Sequence, residues 1–360
     1  VSPSRPSAPP ALARLLSRAI DERVTPGGVI EIGDAAGPVW TVAAGRQTYA
    51  ADAPAVTAAT VYDLASLTKV VATTTLALAH HASGTLPLDT LVAARRPEFS
   101  QHPAFTVRDL LEHAAGFPAH RPYFRQVAGR AAYLSRIAHE PLAYPPRTRH
   151  EYTDLGFILL GALVEDAARA PLDVQFDRFI DDAMPGAELG FGARATWHGR
   201  VAPTGVCPWR GRVMAGHVHD ANAGALGGVA GHAGLFGTAA GVGAFARWWL
   251  GLWTGAVGSS RVLSGDLVRQ AVHPGRVPGS SRALGWDTML PTSSCGTRLS
   301  TASIGHTGFT GTSLWIDPLR GLYVACLTNR VHASDDLDGI RMLRVAVHDL
   351  TAEAWDAAGG

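Results

Sequence analysis

Ser66-Leu67-Thr68-Lys69 places a hydroxyl and an amine three residues apart, so on a helix they share one face within reach of each other. A serine hydroxyl is a weak nucleophile until a base stands beside it. A lysine desolvated at the start of a buried helix loses part of its preference for the charged form and can take that proton. The helix N-terminus would add backbone N–H groups that stabilise an oxyanion. Taken alone, the four-residue pattern is short and common, and a capped helix with an exposed lysine is the simpler account of it.

The composition changes that balance. Of 31 Lys and Arg residues, Lys69 is the only lysine. A compositional bias can exchange Lys for Arg wherever only a surface charge is required. A guanidinium cannot be deprotonated in a protein, whereas an amine can, so Lys69 stands where Arg would fail.

Two further groups follow along the chain, Tyr152-Thr153-Asp154 and His306-Thr307-Gly308. In this order and spacing the three segments resemble the motifs of serine β-lactamases and penicillin-binding proteins. The likeness is nearest to the class C β-lactamase, D,D-peptidase and family VIII carboxylesterase branch, whose second motif begins with Tyr. It extends over nearly the whole chain through stretches such as YTDLGFILLG, LGGVAGHAGLF and GHTGFTGTSLWIDP. The resemblance implies Ser66 as the acylated nucleophile, and Lys69 with Tyr152 as the groups that move its proton and later activate the deacylating water. It places His306-Thr307-Gly308 on a strand lining the pocket, with the N–H groups of Phe309 and Ser66 forming the oxyanion hole. It calls for no cofactor.

Two positions depart from the family pattern. Asp154 stands where Asn is usual and, when ionised, cannot donate to the amide carbonyl of an acylamino side chain. It would also favour a protonated Lys69 and shift the burden of proton acceptance toward Tyr152; a plain helix N-cap is the competing account of Asp154. His306 stands where Lys is usual and offers a cation only below roughly pH 6.5. Both changes point to esters or neutral acyl compounds rather than anionic β-lactams.

Gly216-His217-Val218-His219-Asp220 competes as a metal site, because two histidines two residues apart on a strand face the same way. No third ligand follows at a suitable spacing, so no metal is expected. His80-His81 reads as a contribution to the C-terminal dipole of the helix begun by the first motif.

The remaining composition narrows the function classes. With 31 basic against 30 acidic residues there is no field of one sign to gather nucleic acid or an anionic membrane. No run reaches the roughly 18 apolar residues needed to span a bilayer. Cys207, Cys295 and Cys326 are odd in number and far apart, which argues against a disulfide framework. No targeting signal is read in the chain, leaving a cytoplasmic location or export with a trimmed leader both open.

The elements that must position these groups follow from periodicity. Residues 11–24 read as an amphipathic helix ended by Pro26-Gly27-Gly28, followed by strands at Val29–Ile32 and Val39–Ala44. Residues 66–82 are apolar or small on all sides, as in a buried helix stopped by Gly84. Thr106 caps a short helix, and a longer one runs from Leu155 to Ala168 behind Asp154. Strands are read at Ala283–Asp287, Ser303–Thr307, Thr312–Ile316 and Leu322–Leu327, with Ser334 capping a closing helix to about Trp355. The expected fold is therefore α+β: an antiparallel sheet assembled from both ends of the chain (1–75 and 275–360), flanked by helices, with a mostly helical lobe (76–274) inserted. The expected activity is hydrolysis of a small acyl substrate through an acyl-enzyme on Ser66, with a D,D-peptidase or a non-catalytic acyl-peptide-binding protein as alternatives. Oligomeric state is left open.

Overall fold

The computed structural model describes residues 7–256, 260, 262–332 and 337–359. The central sheet has six strands, joined from both ends of the chain. They are β1 (Gly27–Asp34), β2 (Gly37–Gly45), β8 (Asp287–Thr288), β9 (Ile304–Thr307), β10 (Ser313–Asp317) and β11 (Leu322–Thr328), in the spatial order β2-β1-β11-β10-β9-β8. Every recorded pairing within it is antiparallel, with Ile30 opposite Cys326 and Leu314 opposite His306. Four short strands lie between: β3 (Tyr62–Asp63), β4 (Leu189–Phe191) and β7 (Leu235–Gly237) form a small sheet, and β5 (Val206–Cys207) and β6 (Arg212–Val213) a hairpin.

Because side chains alternate across a strand, each core strand feeds two hydrophobic layers. Tyr323, Ala325 and Leu327 of β11 join Leu314 and Ile316 of β10 on one face, against Phe245 and Trp249 of the helix Ala239–Thr254. Leu322, Val324 and Cys326 face the other way, onto Leu12 and Leu16 of the helix Pro10–Asp21 and Val347 and Trp355 of the helix Leu337–Ala357. Burial on both faces explains why β11 reads as a continuous apolar run rather than an alternating one.

The first helix has Pro10 at its opening position, where the missing N–H costs nothing. The turn after it occupies residues 22–26, and Gly27 and Gly28, expected in that turn, belong to β1. Most of the expected strand at Ala283–Asp287 is also a turn. Gly285 adopts φ +77° there, Ala283 N donates to Trp286 O at 2.9 Å, and pairing begins at Asp287. The proposed cap Ser334 lies outside the described residues. All three cysteines are free thiols, and among the described residues no helix is long and apolar enough to cross a membrane.

Candidate active site

Ser66 sits at the end of a tightly held turn. Asp63, which is buried, accepts from Ala65 N at 2.9 Å through one oxygen and from His219 N at 2.6 Å through the other. Ala65 takes φ +47°, a conformation that a residue with a Cβ rarely adopts and that the surrounding bonds must hold in place. Burial pushes the Asp63 carboxyl up to about 6 against the pull of these backbone donors. On the far side, Thr310 Oγ1 donates to Asp63 O at 2.7 Å and Thr312 Oγ1 to Leu64 O at 3.0 Å. The turn between β9 and β10 is thereby fastened to the segment leading into Ser66. Gly308 is required in that turn, since a Cβ there would run into Thr312 Oγ1 and the Leu64 carbonyl.

The helix after Ser66 begins with a π-helical stretch, Lys69–Thr74, and continues as an α-helix over Thr75–Ala82. Its residues from Lys69 to Leu78 are all buried, as the apolar pattern implies. The Lys69 side chain has no exposure. Its Nζ donates to Asp154 Oδ1 at 2.8 Å, to Ser66 Oγ at 3.1 Å and to His232 O at 3.2 Å. Three acceptors match the three protons of an ammonium group. Burial alone would lower the lysine pKa, but the Asp154 carboxylate and the Tyr152 phenol outweigh it and raise the value. Burial opposes ionisation of Asp154 too; Lys69 and His120 overcome it and hold that carboxyl well below its usual range.

Asp154 opens the helix Asp154–Ala168 at its first helical position. The cap position belongs to Thr153, whose Oγ1 donates instead to Pro118 O at 2.7 Å, so neither residue supplies a side-chain cap. The expectation of Asp154 as an N-cap is corrected by its partner: the carboxylate is turned to the buried lysine, a stronger attraction than an N–H two residues on. Tyr152 precedes it, with its ring centroid 4.8 Å from Lys69 Nζ and 5.2 Å from the Arg282 guanidinium carbon. The same ring meets His113 at 4.8 Å and His306 at 5.7 Å.

His306 and Thr307 end β9, and Gly308 follows. His306 is buried, and its Nδ1 approaches Thr307 O at 2.8 Å. Burial, then Arg282 and Lys69, push its pKa well below the ordinary histidine value. That direction works against a charged imidazole at mildly acidic pH, where the sequence would have allowed His306 to hold an anion. Ser66, Tyr152, Asp154 and Phe309 share the wall of one cavity of about 960 Å³, whereas His306, Thr307 and Gly308 do not line it. The backbone N–H groups of Ser66 and Phe309 donate to no acceptor among the described residues. The cavity is walled by Phe124 and Trp209, with ring centroids 5.1 Å apart, and by His219 stacked on Phe309 at 5.9 Å.

The candidate metal segment does not form a strand. His217 is exposed, His219 Nδ1 meets Thr204 Oγ1 at 3.0 Å, and Asp220 Oδ1 lies 2.8 Å from His232 Nε2 and caps the short helix Ala221–Ala225. Among the described residues no group of three potential ligands could hold a metal ion. Residues not singled out from sequence also reach the site: His113, His120, Arg282 and His232, the last paired with Asp220 of the candidate metal segment. The LLEHAAGFPAH stretch carries two of them on loop and turn positions, where no periodicity marks them.

The chain as a whole is similar to known proteins. The family model described as Beta-lactamase matches residues 12–347. A protein of Escherichia coli (strain K12) named "Putative D-alanyl-D-alanine carboxypeptidase" is 30% identical over 312 residues, spanning 77% of this chain and 70% of its own length. Among solved structures, "EstCE1, a hydrolase with promiscuous acyltransferase activity" superposes with a TM-score of 0.73 at 21% identity, over 94% of this chain and 97% of that one. A class C β-lactamase from Rhodobacter sphaeroides gives 0.74 at 18% identity, over 96% and 100%.

Proposed function

This chain belongs to the Beta-lactamase family of serine hydrolases, and within it we propose that the protein hydrolyses small acyl substrates through an acyl-enzyme on Ser66, with a carboxylesterase-like preference. The observation that carries the reading is the hydrogen bond between the buried Lys69 amine and Ser66 Oγ, 3.1 Å long, at the wall of an aromatic cavity. In the proposed reaction Lys69 and Tyr152 move the Ser66 proton as Oγ attacks the carbonyl carbon. The N–H groups of Ser66 and Phe309 receive the developing oxyanion, and a proton returned through the same pair releases the alcohol or amine. Water then repeats the sequence on the acyl-enzyme.

Two features favour neutral acyl compounds over anionic β-lactams. Asp154 is engaged by Lys69 and offers no donor to an acylamino carbonyl. His306, in the place of a lysine, is buried and neutral. A second reading, peptidase action on a substrate ending in a carboxylate, draws on one specific residue. Arg125 lines the cavity, its guanidinium carbon 5.6 Å from the Phe124 ring centroid, and brings a permanent cation to that wall.

Intact mass after treatment with a fluorophosphonate and, separately, with benzylpenicillin tests both readings. The esterase reading expects a fluorophosphonate adduct that is lost in Ser66→Ala, with no stable penicillin adduct. A long-lived penicillin adduct on Ser66 would favour the peptidase, and no adduct with either reagent would defeat both.

A further inference from the structure

The resting site poses a difficulty for any reaction that uses Lys69 as a base. With three hydrogen-bond acceptors around it and a carboxylate at 2.8 Å, the amine is held as an ammonium ion. It must lose a proton before it can take one from Ser66. The side chain has no contact with solvent, so that proton has to leave through a neighbour.

Asp154 supplies the first step of such a route. Its Oδ1 faces Lys69, and its Oδ2 faces His120 Nδ1 at 3.5 Å. His120 is half-exposed and lines the same cavity as Ser66 and Asp154. Its loop is fastened to the start of the Asp154 helix: Asp154 N donates to Ala119 O at 3.0 Å, Thr153 Oγ1 to Pro118 O, and Ala119 N to Glu151 Oε1 at 3.2 Å. Three bonds to the two residues before His120 thus hold its backbone against the helix that carries Asp154.

From this juxtaposition we propose that His120 is a positioning residue for the acylation step, acting through Asp154 as the acceptor of the proton that Lys69 must release. The proposal rests on Lys69 serving as a base for Ser66. In the step, an Nζ–H proton passes to the Asp154 carboxylate, and the carboxylic acid so formed turns that proton toward His120 and gives it to Nδ1 of the neutral Nε2–H tautomer, which restores the carboxylate. One N–H bond is broken and one is formed, and the three groups sum to zero net charge before and after. The positive charge moves from the sealed lysine to the half-exposed imidazole, and Asp154 remains the counterion throughout, so no unpaired buried charge is left behind.

The charged surroundings suit an imidazole that gains a proton. Asp154 faces it from the helix, Asp220 from the loop before Ala221–Ala225, and Arg121 is the opposing neighbour in its own loop. The hydrogen bond to Asp154 raises its pKa against burial, with both carboxylates adding to the rise. A His120 already protonated from solvent cannot accept, so acidification through its titration should switch the route off.

Hydrolysis of a p-nitrophenyl ester by the wild type and by His120→Ala, as a function of pH and of added imidazole, tests the proposal. The expected result is a fall in kcat/KM of about 10- to 100-fold at pH 7.5 in His120→Ala, the lower part of the usual acid–base range. Imidazole should restore part of that loss, and the wild type should show an acid limb above pH 6.5 that is missing from the variant. Absence of imidazole rescue together with an unchanged acid limb would overturn it. Fluorophosphonate labelling of Ser66 in the same samples separates the failures. Labelling in the wild type without rescue in the variant sinks the role of His120 alone, whereas no labelling at all sinks the acyl-enzyme on which it rests.

Discussion

Lys69 and Asp154 form a 2.8 Å ion pair in which the lysine side chain is fully buried and the carboxylate keeps 18% of its surface. The pair sets the charge state of the amine nearest Ser66. Burial acts to discharge Lys69, and Asp154 acts against it. In Asp154→Asn the opposing charge is gone and burial prevails. The base-limited limb of the kcat/KM profile for an ester should move down by about one pH unit or more. The same variant regains an amide donor, so acylation by benzylpenicillin should rise. A limb that stays in place would show that Asp154 does not govern the amine.

Lys69→Arg keeps a cation beside Asp154 but removes the only amine. A guanidinium does not deprotonate, so ester hydrolysis should fall by about 100-fold or more while the melting temperature changes little. Lys69→Met makes the complementary point. It strands a largely buried carboxylate and should cost roughly 2–4 kcal/mol in a denaturant titration at pH 7. Much of that loss should disappear in the double variant with Asp154→Leu.

Stability should fall on mild acidification, because several histidines are buried in the neutral form. Burial lowers His348 to about 4 and pushes His113 and His306 well below the ordinary value. For a lowered histidine the unfolded chain binds the proton first. The stabilising contribution is therefore complete above about pH 6.5 and is lost as the pH falls toward the folded value. For His348 the full difference is roughly 3 kcal/mol. Denaturant midpoints measured from pH 7.5 to 4.5 should decline in the wild type and decline less in His348→Phe.

The aromatic wall of the cavity should read acyl size. Trp209 is 46% exposed and Phe309 56%, both facing the space above Ser66. Trp209→Ala should lower kcat/KM for a p-nitrophenyl octanoate by about 10-fold, the equivalent of 1–2 kcal/mol of lost apolar contact, and leave the acetate nearly unchanged. Equal losses on both esters would point to a disturbed Ser66 instead.

Ser66 and Lys69 were legible in the sequence from their spacing at the start of a buried helix and from the single lysine, whereas Tyr152 and Asp154 were singled out through the resemblance of their motif to that of the family. The sheet strands were legible for a related reason, since β1, β2, β10 and β11 are bounded by glycine-rich turns and filled with apolar residues. The segment at 283–287 misled because Ala283 and Leu284 are buried like strand residues while Gly285 turns the chain back. Asp154 read as a cap because its type and place suit one, and nothing local reveals a lysine 85 positions away. His113, His120, Arg282 and His232 reach the site through loops packed at long range, where composition carries no directional signal. His306 was placed correctly on its strand, but its charge depended on Arg282 and on burial, which only the folded structure supplies.

The sealed amine of Lys69 gives the molecule an internal reporter. Selective ¹⁵N labelling of lysine would place a single ε-ammonium in the spectrum of a 360-residue protein, without assignment work. Its shift would follow the proton at the reacting centre directly. Its slow exchange with water would time each opening of the cavity floor. An amine-directed reagent that reached Lys69 would likewise register only molecules in which that floor had opened.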